Sequence, residues 1–586
     1  MRLTGAALAL CMITSAATPP PKGAVKPKRP ALSGEERAAQ AMMRPLSLRD
    51  RIAQLVIGVC YGDVPSRKSA EYEKYRHWVR DLHIGGLIVN NRVQYGVARN
   101  ADPHAMALFL NQMQKLARTP LIVGADLERG AAMRTTAGAK FPYSMAFGSA
   151  RDFEASRYLG LATAREARAI GVQWLFAPVA DVNNNPANPV INIRSFGENP
   201  EDVAQNVAAF IDGAHSDPKN RVLVTAKHFP GHGDTNIDSH QGLAHLEATK
   251  ERMLAVELKP FEAAIAHGAD AIMTAHLAVP AIEPDEIPAT ASPKVLTTLL
   301  REELGFKGLV VTDALDMLGF ASQFSGGEGS VRAIQAGADV LLMPPNPEAA
   351  IRAVLAAVER GRLSRQRIDD SVIRVLAAKI RVGLIRKKLV DLDEISDVLD
   401  DPAAAEYAQR ISDRGVTLVR NERDVLPLAS NGQSCLVVVT GLRNSQYGLR
   451  MTAEFHKRSS GRAVVVDPSM PLAALSDDVG DTGAWSAVIV AVFSIGGPLN
   501  GDVPAFIEKL TSAPQPTVLI AMGSPYLLMN FPKANAYLAT FSPTVPSEVS
   551  AIKAMFGEIG ISGHLPVTIP GFAQYGDGIQ LAMHSR

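Results

Sequence analysis

Eight short apolar runs, each followed by a longer stretch of helical periodicity, recur along the first two thirds of this 586-residue chain. They fall at 55–59, 86–89, 121–125, 173–177, 222–226, 271–274, 309–312 and 339–343. Amphipathic stretches such as 105–117, 154–170, 200–214, 249–266 and 293–304 lie between them. A strand that is apolar along its whole length is covered on both faces, and strands joined through helices run parallel. Eight such units in roughly 340 residues fit a (β/α)8 barrel of the TIM type. The same elements could also build a doubly wound open sheet.

Helical sequence ends near Gly383, and a charged stretch at 386–401 follows. Apolar runs then return at 416–420, 435–440, 463–466, 487–493, 517–522 and 536–540, again with helical segments between them. The chain is too long for one ordinary domain. It reads as an α/β protein with a barrel at 46–385, a linker at 386–405 and a smaller C-terminal α/β sandwich domain at 406–586.

Residues 1–17 have the form of an export signal: Arg2, an apolar stretch, and Ser15-Ala16-Ala17 at a cleavage site. The expected location is periplasmic or secreted. Cys11 is a candidate lipid-attachment cysteine, though the bulky Leu10 precedes it where a small residue is favoured. A Pro/Lys-rich tether is expected over 18–45. No other segment has the length to span a membrane. Lys plus Arg number 60 against 59 acidic residues, a balance that gives no reason to propose nucleic acid or an anionic membrane as partner. Of three cysteines, Cys11 lies in the leader and Cys60 and Cys435 in different domains, so no disulfide framework is implied.

Polar side chains gather where the barrel strands end: Asp126 after the third, Asp181 and Arg194 after the fourth, Lys227-His228 at the fifth, His276 after the sixth, Asp313 after the seventh. Barrel enzymes take their catalytic groups from this rim. The segment at 221–240, RVLVTAKHFPGHGDTNIDSH, is the densest. In Asp238-Ser239-His240 the carboxylate can orient the imidazole as a general acid and base, if the loop is extended and the two side chains point the same way. The same residues also suit a surface turn. The histidines lack the helical H-x-x-x-H spacing of a zinc site. Asp313 can act as a nucleophile or cap the next helix, and Asp316 is expected inside that helix. Asp126 offers a charged acceptor for a sugar hydroxyl or a partner for Arg134 or Arg129, and Arg194 has the same two readings. Asp126 and Lys227 are both expected on the solvent-accessible rim.

Four segments, KHFPGHGDTNIDSH, NPVINIRSFGENP, ADLERGAAMR and GFKGLVVTDALDM, together resemble glycoside hydrolase family 3, in its β-N-acetylglucosaminidase branch. The resemblance covers about 46–384 densely and continues more weakly into GHLPVTIPG near the C-terminus. It implies a retaining exo-β-N-acetylglucosaminidase, acting on non-reducing-end β-GlcNAc of peptidoglycan fragments or chitooligosaccharides. Carried across by position, it implies Asp313 as nucleophile and Asp238–His240 as the acid/base pair. Asp126, Arg134, Arg194, Lys227 and His228 match its sugar-binding positions. No metal or organic cofactor is implied, and the partner is a carbohydrate. In the family's β-glucosidases the acid is usually a Glu from other segments, often in the second domain; here the acid candidate lies inside the barrel. A β-glucosidase, a phosphorylase and a silent sugar-binding protein are the alternatives.

Overall fold

The computed structural model describes residues 32–94, 97–429, 432–442 and 445–584. The leader read at 1–17 and the proline-rich part of the tether lie outside these residues.

The eight expected runs form eight strands: β1 (Val56–Cys60), β2 (Gly86–Val89), β3 (Ile122–Ala125), β4 (Trp174–Leu175), β5 (Leu223–Phe229), β6 (Ala271–Thr274), β7 (Leu309–Val311) and β8 (Leu341–Leu342). They pair in parallel in the order β7-β6-β5-β4-β3-β2-β1-β8. Val311 and Val340 then pair across the remaining gap, where Thr312 N–H donates to the Val340 carbonyl at 3.1 Å. The ring is thereby closed, and the open-sheet alternative is excluded.

Helices Pro103–Leu116, Phe153–Ala169 and Pro200–His215 cover the outside, each started by an Asp or Asn side chain that accepts a first-turn N–H. The stretch expected as one helix at 249–266 is two, Lys250–Ala255 and Lys259–Ala266. Pro260 explains the break, because it has no N–H to continue the first helix and sits well in the first turn of the second.

Two boundary expectations change. Gly34–Met43, inside the expected tether, is a helix started by a reciprocal capping box between Ser33 and Glu36. It buries Ala39 and Met43 against the barrel, and Glu35 pairs with Arg381. The expected linker at 386–405 is packed as well: Val390 exchanges two hydrogen bonds with the Asn111 side chain, and Ile395 and Leu399 are buried.

The second domain is a six-stranded sheet of β9 (Thr417–Asn421), β10 (Ser434–Val439), β11 (Arg462–Val466), β12 (Ala487–Val492), β13 (Thr517–Ala521) and β14 (Ala536–Ala539). Its order is β9-β14-β13-β12-β10-β11, parallel except for β9 at the edge. Alternation along the strands feeds two cores. Val437, Val490 and Leu519 face one side, and Val438, Ile489 and Ile520 the other. Met145, Ala146 and Ile193 of the barrel segment pack into the first of these cores, so the two domains share apolar packing. Cys60 on β1 and Cys435 on β10 are free and buried. Among the described residues, no helix is long and apolar enough to cross a membrane, and no cluster of His, Cys, Asp or Glu could hold a metal ion.

Candidate active site

A cavity of about 410 Å³ opens at the carboxyl ends of the barrel strands. Asp126, Arg134, Arg194, Lys227, His228, His240 and Asp313 all line it. Asp238 stands directly behind His240.

The floor is a network of charges. Lys227 Nζ lies 2.7 Å from Asp126 Oδ1 and 2.8 Å from Glu128 Oε1. Arg134 donates to the other Asp126 oxygen at 2.9 Å, and Arg194 makes a forked contact with Glu128 at 2.7 and 3.2 Å. Lys227 is 2% exposed, so the expected accessible rim position is corrected: a side chain at the end of a barrel strand points into the barrel mouth, and here it is enclosed. Burial alone would raise the Asp126 carboxyl, but Lys227 and Arg134 outweigh it and bring it down to about 2. Glu128 is held well below the usual carboxylate range in the same way, against its burial, by Arg194 and Lys227. Asp126 therefore pairs with Arg134 and Lys227 rather than with Arg129.

Glu128 was not singled out by sequence reasoning, yet it is the second pillar of this network. The signal was present. Residues two apart on an extended strand end point the same way, so Asp126 and Glu128 reach one cation together.

His228 is aimed by Asp181, whose carboxylate is fully buried and accepts from His228 Nδ1 at 2.7 Å and from the backbone N–H of His232 at 2.7 Å. Asp181 was placed at the rim by its position in the sequence, but its partner, 47 residues away, was not legible there. Its own burial would raise it; His228 keeps it low.

Asp313 follows β7. Its Oδ1 accepts the N–H of Ala314 at 2.7 Å, and the next helix begins only at Leu318, so it does not cap that helix. Burial pushes its carboxyl up, while His228, His276 and the Ala314 N–H more than offset this and keep it low. It is thus an anion at neutral pH. His276 does not line the cavity. Its Nε2 lies 3.0 Å from the Ala314 carbonyl and its Nδ1 2.8 Å from Thr290 Oγ1, so it fixes the backbone that presents Asp313. Asp316 lies in a turn ahead of the helix, not inside it, and its carboxyl is raised by partial burial at the cavity and by Asp313.

The Asp238–His240 pair is formed: Asp238 Oδ1 accepts from His240 Nδ1 at 2.7 Å and from its backbone N–H at 2.9 Å. The backbone is a turn rather than the extended loop expected, because the Asp238 carbonyl also accepts from Gln241 and Gly242. The imidazole side chain is 60% exposed, and Nε2 is left without a protein partner among the described residues. Two devices hold this turn. His232, buried, bridges Thr235 Oγ1 at 2.8 Å and Ser239 Oγ at 2.9 Å. Gly319 donates its N–H to the Ser239 carbonyl, and a Cβ there would lie 2.7 Å from that oxygen, so only glycine permits the approach.

A buried Lys–carboxylate–Arg floor, a fixed anionic carboxylate and a solvent-facing imidazole with its own carboxylate can bind hydroxyl groups, attack an electrophilic carbon and move a proton. The comparisons with known proteins bear on the family. Residues 47–378 match the glycosyl hydrolase family 3 N terminal domain. The chain is 26% identical over 554 residues to the beta-N-acetylglucosaminidase/beta-glucosidase of Cellulomonas fimi, covering 88% of this chain and 93% of that one. It is 28% identical over 549 residues to beta-hexosaminidase A of Pseudoalteromonas piscicida, covering 83% and 89%. The structure of a glycoside hydrolase family 3 beta-N-acetylglucosaminidase from Paenibacillus sp. str. FPU-7 superposes with a TM-score of 0.79 at 32% identity, over 89% of this chain and 99% of that one. Beta-glucoside phosphorylase BglX, at 22% identity and a TM-score of 0.79, has the same fold. The chain belongs to glycosyl hydrolase family 3, and its barrel is that of a glycoside hydrolase.

Proposed function

We propose that this protein is a retaining exo-β-N-acetylglucosaminidase that removes non-reducing-end β-GlcNAc from peptidoglycan fragments or chitooligosaccharides outside the cytoplasm. The observation that carries the reading is the single cavity lined by both Asp313 and His240, over a floor of Asp126, Glu128, Lys227, Arg134 and Arg194. The floor binds the hydroxyls of one sugar by charge-assisted hydrogen bonds. Met133, Met273, Met317, Val190 and Ile191 give the same cavity apolar walls suited to an acetamido methyl. The relatives named for β-N-acetylglucosaminidase and β-hexosaminidase activity support the choice of sugar.

In the proposed reaction an Asp313 oxygen attacks the anomeric carbon as the bond to the leaving oxygen breaks. His240, charged and oriented by Asp238, gives its Nε2 proton to that oxygen. The now neutral imidazole takes a proton from water, whose oxygen attacks the anomeric carbon and displaces Asp313. GlcNAc leaves with its β configuration, and both side chains return to their starting states.

The test is turnover of p-nitrophenyl β-GlcNAc against the β-glucoside, with products identified by mass in phosphate and in phosphate-free buffer. β-GlcNAc preferred and free GlcNAc released is the expected result. Preference for the glucoside, GlcNAc-1-phosphate as main product, or GlcNAc binding without turnover would each replace the reading. A slow 2-deoxy-2-fluoro substrate should label Asp313. Label on Asp316 or Asp126 would overturn the assignment of the nucleophile.

A further inference from the structure

Arg134 reaches the cavity floor from a segment, GAAMRTTAGA at 130–139, that has few side chains able to anchor it. It is held from outside. The middle is tied to Asn100 and Ala101, which hydrogen-bond the backbone of Ala132, Arg134, Thr135 and Thr136. Both ends close on one carboxylate, Glu166 of the helix Phe153–Ala169. Its Oε2 accepts the Ala131 N–H at 2.7 Å and its Oε1 the Ala139 N–H at 2.8 Å. Gly130, at a φ of +87°, lets the chain wrap this closely, since a Cβ there would lie 2.9 Å from Oε2. Glu166 is 3% exposed, and among the described residues no cation pairs with it.

A carboxylate held by N–H groups alone is a grip that protonation loosens. The neutral carboxyl keeps one strong acceptor oxygen, so one of the two N–H groups loses its charged partner. Burial, reinforced by Asp401, outweighs the two N–H groups and raises the Glu166 carboxyl to about 7. Protons have a route to it. A second cavity, of about 600 Å³, lies between the helix Phe153–Ala169 and the 386–405 segment; Glu166 lines it, and it shares no lining residue with the catalytic cavity. Tyr158, Arg165 and Arg168 face this cavity from the same helix, and Lys219 from the turn before β5. Lys387, Lys388, Asp391, Glu394, Asp397 and Asp401 face it from the 386–405 segment. Arg165 is paired with Asp217, and Lys388 donates to the Gln114 carbonyl. On the loop side Arg134 turns away to Asp126 and Asn91, and Lys140 is exposed. Asp401 alone among these charges adds to the rise of Glu166.

We propose that Glu166 is the positioning residue of the Arg134 loop: ionised, it grips both ends and sets Arg134 against Asp126, and protonated, it slackens the loop and weakens the sugar floor. Affinity for the sugar is thereby tied to a proton taken up on the far side of the loop. The proposal rests on the β-GlcNAc hydrolase reading, in which Arg134 belongs to that floor.

The experiment measures the Kd for GlcNAc by calorimetry, and KM and kcat for p-nitrophenyl β-GlcNAc, from about pH 5.5 to about 8.5. In the wild type Kd and KM should fall about 3- to 10-fold as the pH rises through about 7, as expected for one hydrogen bond regained. Glu166→Gln keeps the shape of the side chain and cannot ionise. Its Kd should stay near the weak, low-pH value of the wild type across the range, while kcat keeps the pH profile that His240 imposes. In an Arg134→Ala background the effect of Glu166→Gln on Kd should vanish, because the grip acts through Arg134. Arg134→Ala alone should likewise lose the step in Kd near pH 7, a check that stands even where Glu166→Gln fails to fold.

A wild-type Kd that does not change between about pH 6 and about 8 overturns the proposal. A step that survives in Glu166→Gln also overturns it and assigns the dependence to the histidines of the catalytic cavity. An effect of Glu166→Gln that is as large without Arg134 as with it would make Glu166 a general support of the fold, and overturns it too. Failure of the underlying reading looks different: the wild type would then not release GlcNAc from p-nitrophenyl β-GlcNAc at any pH.

Discussion

Burying the Lys227 ammonium between Asp126 and Glu128 would tie the proposed sugar binding to folding at a single atom. In Lys227→Ala two buried carboxylates lose their shared counter-charge, so the variant should lose about 3–5 kcal/mol of stability as well as affinity for the sugar. Urea unfolding read beside KM checks this. A large rise in KM at unchanged stability would mean that water replaces the ammonium. His240 is the opposite case, because its ring is mostly exposed and little packing depends on it. His240→Ala should keep its thermal midpoint yet lose about 10²–10⁴-fold in turnover of natural disaccharides. Activated aryl glycosides should suffer far less, since their leaving groups depart without a proton, and azide should partly restore them. Asp238→Ala should show the same pattern more mildly, because the imidazole stays and only its orienting carboxylate goes. Equal losses on both substrate classes would place the acid elsewhere.

Two loops shape the site, one clamped by the second domain and the other held largely by a buried histidine of its own. The 182–198 loop, which presents Arg194, is clamped by the second domain. Glu198 accepts from the backbone and hydroxyl of Thr568 at 2.7 and 2.6 Å, Glu198 N–H donates to the Pro566 carbonyl, and Asn183 donates to the Tyr526 hydroxyl at 2.9 Å. Thr568→Val should therefore raise KM for the aryl GlcNAc substrate, and Thr568→Ser should restore it. A KM unchanged in Thr568→Val would show that Arg194 keeps its place without the clamp. His232, which holds the turn that presents His240, is buried, and burial lowers its imidazole to about 4. The unfolded chain binds that proton near the ordinary value of about 6.5, so the unfolded state holds more protons between those limits. Stability should accordingly fall as pH drops from about 6.5 through about 4. That fall should be shallower in His232→Asn, and an identical slope in the variant would assign the acid sensitivity to other groups.

At the scale of the whole molecule, the barrel was legible because eight fully buried strands leave an unbroken apolar trace at each position. Asp313 and the Asp238–His240 pair were legible because they sit in dense polar motifs at strand ends. Glu128 and Asp181 were harder to see, since what gives each its role is a contact 66 or 47 residues away. Gly34–Met43 was hidden by the proline-rich stretch before it, although Ser33 and Glu36 already had capping-box spacing. The two buried thiols add a practical consequence. Cys60 sits in the barrel and Cys435 in the second domain, and burial pushes them up to about 12 and about 11, so neither supplies a thiolate while its domain is closed. Each is thus a built-in reporter of the opening of its own half of the chain. Met145, Ala146 and Ile193 are shared between the halves, so iodoacetamide in moderate urea should alkylate both cysteines at one common rate, followed peptide by peptide in a mass spectrometer. Two well-separated rates would mean that the halves open independently, and a faster Cys435 would name the second domain as the first to let go.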